Sequence, residues 1–458
     1  SLISNDERRK RDLHEFFIMP KNQMDFMVNI TIAIAKKKHQ LLVFNDTHDN
    51  TEVLADEVRI QSKGSINIKP HHAALKSADR RMYTKYFKAG DIDVLSCTPT
   101  LELGMDIGSV DAVISAFTND YDKFVQRIGR AGRRGKKSYG ITVFRPDGPI
   151  SHYYSKYIDR YWNQKHNVEI QTSNPVIQNL HKEAVEGKWT GMDRASAFPF
   201  RDTAGEVVTS LGGHRVIPIA YYKLHQNAIY RWNNRVYRSK GLKKDGEKIV
   251  ADLEIASTND NSKKTSPIIV RNFILQKELE LPKTRKSYSI NFCLVKIEHE
   301  ITGYKEGHKK AKFGDMVEGG PIDHWDWESK HLAVKIKFSD LSASGEDPIL
   351  HTIIHLLDNA SKIITKAEAN DVQGHALGGP GEFYLYDDTA NGQSGYSKLI
   401  FDSFDQILKK AKELVKQDCC NEPGGCKQCT FTTSWCPKDN EGLDKAGAKN
   451  FFNDLKLS

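Results

Sequence analysis

Between Gln23 and Asp147, short apolar runs alternate with longer amphipathic ones, and this alternation restricts the fold more than any other feature of the chain. LLVF at Leu41–Phe44, INIKPHH, DVLSCT, DAVISAF and YGITVFRP read as strands. QMDFMVNITIAIAKKK, TEVLADEVRIQ and SADRRMYTKYFKAG, the last closed by Gly90 as a C-cap, read as the helices between them. Short strands separated by helices build βαβ units around a parallel sheet.

Two segments inside this unit carry chemistry. TPTLELGMDIG runs from Thr98 to Gly108, and QRIGRAGRRG runs from Gln126 to Gly135. The second places Arg127, Arg130, Arg133 and Arg134 among small residues. Glycine lets a backbone approach a partner closely. Arginine offers a planar, permanently charged fork that matches phosphate oxygens. Continued as a helix, the segment puts Arg130 and Arg133 on one face. The sequence has no glycine-rich loop ending in Gly-Lys-Ser/Thr; the nearest string, Gly187-Lys188-Trp189, lacks the hydroxyl that holds magnesium. No acidic pair follows an apolar strand either.

The two segments resemble motifs V and VI of superfamily 2 helicases, which line the nucleotide cleft from the second RecA-like lobe. The resemblance implies that Arg130 and Arg133 reach the γ-phosphate of ATP held by a first lobe. It implies that Gln126, Gly104 and Asp106 approach the nucleotide, and that Thr98 offers its hydroxyl to a nucleic-acid phosphate. ATP and Mg²⁺ would be shared with that first lobe. The chain therefore reads as the second half of a motor, inactive alone, with residues 1–22 as a linker from the missing part.

Lys plus Arg exceed Asp plus Glu by eight and the pI is near 8.8, a mild excess that leans toward an anionic partner such as nucleic acid. No apolar run approaches the roughly 18 residues of a membrane helix. The first residues, SLISNDERRKRDLHEFF, are charged and carry no apolar secretion segment.

Five of the seven cysteines fall between Cys419 and Cys436, a clustering that favours a metal over a disulfide framework. Cys420, Cys426, Cys429 and Cys436 suit tetrahedral Zn²⁺, with Cys419 able to replace Cys420. Four thiolates leave no open position for water, so the expected role is structural, with about one Zn²⁺ per chain. An iron–sulfur cluster fits the same ligands.

NAIYRWNNRVYRS, from Asn227 to Ser239, reads as a hairpin around Asn233-Asn234. Arg231, Trp232 and Arg235 suit stacking on bases and contact with phosphates; the same pattern also describes a half-buried hairpin with a basic outer face. Residues 148–198 read as helical, 199–338 as a β-rich, winged-helix or barrel-like module, and 339–458 as an α+β zinc-binding domain. The last opens on the amphipathic helix PILHTIIHLLDNASKIITK. The fold class is α/β, with residues 23–147 as the RecA-like lobe.

NAIYRWNNRVYR, ITGYKEG, FYLYDDTANGQSGYSKLIF and the cysteine run followed by NEGLDKAGAKNF resemble the MrfA-like group of DNA repair helicases and their fungal RecQ-four-type relatives. That resemblance implies ATP-dependent translocation on single-stranded DNA, in repair or phage defence, in the cytoplasm and nucleoid or in a nucleus. The turn at Asp388–Gly392 departs from the Gly-Gly turn usual in the group. The competing reading is a non-catalytic DNA-binding or scaffolding subunit that kept the fold. An RNA track fits phosphate contacts equally well.

Overall fold

The structure is a computed structural model; it describes most of residues 12–164 and 206–455, leaving out among others 102–106, 133–136, 233–234 and 389–393. The first unit is a six-stranded sheet in the order β1-β6-β5-β2-β4-β3. Its strands are β1 (Leu13–Ile18), β2 (Leu41–Phe44), β3 (Ile68–His71), β4 (Val94–Cys97), β5 (Ala112–Ala116) and β6 (Ser138–Val143), and every pairing is parallel. Helices α1 (Gln23–Ala35), α2 (His48–Gln61), α3 (Ser77–Ala89) and α4 (Tyr121–Ile128) connect them. Asn22, Thr47 and Asp120 cap α1, α2 and α4 through their side chains, and Gly90 ends α3 at φ 89°.

All four residues of β2 are buried because helices cover both faces of a parallel sheet. Leu42, Phe44, Leu95 and Val113 pack into one core; Leu41, Val43, Val94 and Ile114 pack into the other. β1 corrects the reading of residues 1–22 as a linker. Leu13–Ile18 pairs with β6 as an edge strand, so the lobe begins before Gln23.

Two short helices, α5 (Pro149–Lys156) and α6 (Ile158–Trp162), follow the lobe and bury Tyr153, Tyr154 and Tyr161 against it. The helical reading of 165–198 falls almost wholly outside the described residues. A five-stranded sheet comes next, ordered β8-β7-β11-β10-β9, from β7 (Glu206–Thr209), β8 (His214–Val216), β9 (Ile229–Trp232), β10 (Arg235–Asp245) and β11 (Lys248–Ile255). Helix α7 (Ile217–Leu224) links β8 to β9.

The third sheet runs β12-β14-β18-β20-β19. It is built from β12 (Thr265–Glu278), β14 (Tyr288–Glu306), β18 (Trp325–Phe338), β19 (Val372–Ala376) and β20 (Glu382–Asp387). Short strands β13 (Lys283–Thr284) and β15 (Lys309–Lys312) pair with β14, and β16 (Met316–Val317) pairs with β17 (Gly320–Pro321). Among the described residues this sheet is open, with β12 and β19 at its edges, rather than a closed barrel. It also crosses the boundary expected at 338/339. β18 pairs with β20, so the β-rich module and the zinc-binding region share one sheet.

Helix α8 (Pro348–Thr365) is the centre of the last region, flanked by α9 (Tyr396–Asp402), α10 (Phe404–Val415) and α11 (Lys445–Asp454). The helix expected from its amphipathic pattern is present, and its polar face is covered as well as its apolar one. Every residue from Leu350 to Ile363 is buried, the Asp358–Lys362 ion pair included. The parallel lobe is joined to its end. Asn119 Nδ2 donates to the carbonyls of Lys362 (2.6 Å) and Ala367 (2.9 Å), and Thr118 Oγ1 donates to Glu368.

Candidate nucleic-acid interface and metal centre

In the parallel lobe, Leu41 aligns with Val94 and Ala112 at one end of the sheet, and Phe44 aligns with Cys97 and Ser115 at the other. The two helicase-like segments are attached to opposite edges of this sheet. Thr98 follows β4 at the carboxyl edge. Val110, two residues beyond the end of the first segment at Gly108, precedes β5 at the amino edge and bridges to Ala131 in the second. Val110 N donates to Arg130 O at 3.5 Å, and Gly132 N donates to Val110 O at 3.3 Å. The chain thus holds a turn rich in arginine and glycine against the start of a central strand.

The arginines differ in what they do. α4 ends at Ile128, with Gly129 as its C-cap, so Arg130 sits in the turn beyond the helix rather than on it. This corrects the helical placement of Arg130 and Arg133 on a shared face. Arg127 is 2% exposed and ties the lobe together: Nη1 donates to Ala116 O (3.2 Å) and Ser115 Oγ (3.3 Å), with the guanidinium over the Phe44 ring. Arg130 is folded against the lobe at 6% exposure, and Gln126 faces solvent. Arg133, Gly104 and Asp106 lie outside the described residues.

At the carboxyl edge Thr98 is buried, its backbone N–H bonded to His71 O at 3.2 Å. Beside it a cavity of about 520 Å³ is lined by His71, Ser77, Arg80, Arg81, Thr84, Lys85 and Lys88. Arg81, Lys85 and Lys88 are exposed along one side of α3, spaced four and three residues apart. The i, i+4, i+7 spacing of these three cations is the signal by which the sequence could have announced them. Burial, with help from the Arg80 charge, pushes His71 down to about 4, so the cationic groups of this groove are the arginines and lysines.

The hairpin at Asn227–Ser239 divides by face. Arg231 pairs with Val236 across β9 and β10, and Arg235 is exposed. Trp232 points inward: it is 7% exposed, stacks on Tyr230 at 6.3 Å and meets His72 edge-on at 5.9 Å. Its ring joins the β-sheet to the parallel lobe and is closed to a base, which corrects its assignment as a stacking platform. Residues 233–234 lie outside the described residues.

The metal centre is assembled by the loop between α10 and α11. Cys419, Cys420, Cys426 and Cys429 offer ligand atoms that all lie within 4.8 Å of one another. Sγ–Sγ distances of 3.6 Å (Cys419–Cys426), 3.9 Å (Cys420–Cys429) and 4.0 Å (Cys426–Cys429) match the edge of about 3.8 Å that four Zn–S bonds of 2.3 Å define in a tetrahedron. Both Cys419 and Cys420 belong to the set, and Cys436 does not. Cys436 Sγ lies 3.1 Å from His351 Nε2 on α8 instead, so the expected ligand set is corrected at one position.

The residues around the four sulfurs fit a Zn²⁺ with four thiolates. The Cys426 N–H (3.2 Å) and the Lys445 ammonium (3.6 Å to Cys420) point at sulfur and offset the excess negative charge. Gly425 turns at φ +85°, where an added Cβ would fall 2.1 Å from Thr430 Oγ1 and 2.9 Å from Cys429 Sγ. Only glycine passes there.

Comparison with known proteins follows the same division. Residues 22–135 match the helicase conserved C-terminal domain, and residues 353–430 match the MrfA Zn-binding domain. The ATP-dependent helicase YprA of Bacillus subtilis is 24% identical over 87% of this chain and 59% of its own length. The ATP-dependent helicase hrq1 of Schizosaccharomyces pombe is 21% identical over 92% of this chain and 46% of its own. The chain therefore spans about half the length of these relatives. The crystal structure of the DUF1998 helicase MrfA bound to DNA superposes with a TM-score of 0.64 at 18% identity, over 96% of this chain and 66% of MrfA. Among the described residues no helix is long and apolar enough to cross a membrane. The helicase conserved C-terminal domain and the MrfA Zn-binding domain thus occur together in this one chain.

Proposed function

We propose that this chain is the C-terminal portion of an ATP-dependent DNA translocase. It completes a nucleotide site built mainly by a first RecA-like lobe and holds one side of a single-stranded DNA track. The observation that carries the reading is the bridge between Val110 and Ala131, which fastens the arginine turn to the amino edge of the sheet. A fixed turn there lets Arg130, with Arg133, meet a γ-phosphate once the first lobe docks. Fingers of this kind contribute roughly 10³–10⁵ in rate by stabilising charge in the transition state. Gln126, Gly104 and Asp106 contact the nucleotide, and Mg²⁺ is held with it by the first lobe.

The DNA backbone runs along the opposite, carboxyl edge. Arg81, Lys85 and Lys88 supply sequence-independent phosphate contacts beside Thr98, and Arg231 and Arg235 extend the track. Placing the nucleotide and the track on opposite edges of one sheet lets a small rotation of the lobe move one relative to the other. MrfA, which shares this fold, has been crystallised bound to DNA, and this supports DNA as the partner. Repair and phage defence are both roles in which such a translocase serves, inside the nucleoid or a nucleus.

One observation favours a second reading, a scaffolding subunit that binds DNA without firing. Arg130 is 6% exposed, as a structural arginine would be. A split of phenotypes separates the two. With the first lobe supplied, Arg130→Ala abolishes ATP turnover and leaves single-stranded DNA binding nearly intact. The triple change Arg81→Ala, Lys85→Ala, Lys88→Ala weakens binding and flattens the log K against log salt slope by about 2, at about 0.7 per phosphate contact. Undiminished turnover in Arg130→Ala removes the finger role, and an unchanged salt slope removes α3 from the track.

A further inference from the structure

The thiol left out of the four-cysteine set points to a second site. We propose that His351, His355 and Cys436 bind a second divalent transition metal of the zinc class, with its fourth position open to an adjoining cavity. This inference is independent of the motor reading.

His351 and His355 are four residues apart on α8, so both imidazoles project from one face of the helix, their ring centroids 4.4 Å apart. Cys436, in the loop after the first cysteine set, closes the group from the other side, 3.1 Å from His351 Nε2. One donor atom from each of the three lies within 4.8 Å of the other two. Two imidazole nitrogens and one thiolate form a borderline-soft donor set that suits Zn²⁺.

The protonation pattern of His355 is the second observation. Its Nδ1 lies 3.2 Å from the Thr430 carbonyl oxygen. A carbonyl can only accept, so Nδ1 carries the proton and Nε2 presents a lone pair. That Nε2 is buried and has no hydrogen-bond partner. An orphaned buried acceptor of this kind is costly, and a metal ion would satisfy it. Carbonyl-anchored histidine is also the usual way in which a protein orients an imidazole ligand from behind. Thr430 follows Cys429, so the peptide that anchors His355 is continuous with the first metal centre.

Three protein ligands leave one tetrahedral position. His351, His355 and Cys436 line a cavity of about 340 Å³ together with Asp358, Thr432 and Ser434. Asp358 Oδ2 accepts from Lys362 Nζ (2.7 Å), Thr432 Oγ1 (2.9 Å) and Ser434 Oγ (2.8 Å), while Oδ1 is buried without a partner. A carboxylate fixed through one oxygen and idle at the other is placed to accept a hydrogen bond from a metal-bound water or small ligand. The four-thiolate centre, by contrast, is closed. The MrfA zinc-binding match covers residues 353–430, so it takes in all four cysteines of that centre and excludes His351 and Cys436.

The test is the metal content of the whole chain, loaded with Zn²⁺ and desalted, by elemental analysis. The expected result is about two Zn²⁺ per chain, falling to about one in Cys436→Ser and in His355→Ala, with the remaining metal held by four thiolates. Co²⁺ bound to the wild-type chain should then show two components, one of four sulfurs and one of a tetrahedral site of mixed nitrogen and sulfur, and Cys436→Ser should keep only the first. One Zn²⁺ in the wild-type chain, with Cys436 alkylated as fast in the zinc-loaded as in the metal-free protein, would overturn the proposal and leave a thiol–imidazole pair. The wild-type stoichiometry decides the matter even where a variant fails to fold.

Discussion

The parallel lobe and the region around α8 are both layered around buried centres, yet they use opposite materials. In the lobe, β2 presents four apolar residues to two hydrocarbon cores, and polar chemistry is confined to the strand ends. In α8 the buried stripe includes His351, His355, Asp358 and Lys362, and each is held by a partner far away in sequence or set against a metal-ligating loop. An apolar core tolerates local reading because each residue type carries its own preference for burial. A polar core does not, because a buried imidazole or carboxylate is stable only in the company of particular partners.

Removing metal should break this contrast most sharply. Chelation, or Cys426→Ser, takes away a contribution on the order of 10 kcal/mol. It should melt α8, α10 and α11 while the parallel lobe keeps its structure, as hydrogen exchange resolved by segment would show. Equal loss of protection in both regions would mean that the lobe depends on the metal as well.

A smaller effect is expected at the joint. Asn119→Ala leaves the carbonyls of Lys362 and Ala367 without their donor, at a cost of about 1–3 kcal/mol, and should split one thermal transition into two. A single transition shifted as a whole would place the coupling elsewhere, at Arg160–Glu413 for instance.

The smallest effect concerns acid. His299, Ser329 and His331 form a buried chain with contacts of 2.6 Å, ending on the Asp387 carbonyl. Burial pushes His331 down to about 4 and His299 to about 2, and the Arg271 charge pushes both the same way. From about pH 6.5 down to 4 the unfolded chain binds protons that the folded one refuses, so stability falls with falling pH, by at most about 1.4 kcal/mol per unit for each histidine. His299→Gln should flatten that loss in urea titrations between pH 7 and 5. An unchanged slope would assign the acid sensitivity to other groups.

The same contrast explains what could be read in the sequence. The strands of the lobe and the cap at Gly90 follow from local period and turn chemistry, whereas the cap at Thr47 was passed over because the helical reading began at Thr51. β1 escaped because an edge strand next to a charged run looks like a tail. The position of Arg130 beyond its helix was announced by Gly129, which a residue-by-residue helical reading overran. Choosing Cys436 over Cys419 was reasonable by spacing alone. Two adjacent cysteines rarely both face one ion unless the loop reverses, and the tight turn at Gly425 does that only in three dimensions. The imidazoles of α8 carried no signal in the amphipathic pattern, since nothing local indicates that a loop some 80 residues later will cover them.

The central claim is that this chain supplies half of an ATP-driven motor on DNA. Its most direct test is single-stranded-DNA-stimulated ATP hydrolysis by the chain mixed with a separately produced first RecA-like lobe of an MrfA-like relative. The account predicts no turnover from either component alone and DNA-dependent turnover from the mixture, lost with Arg130→Ala. A mixture that binds DNA and assembles, yet hydrolyses no ATP, would contradict it and leave the scaffolding reading in its place.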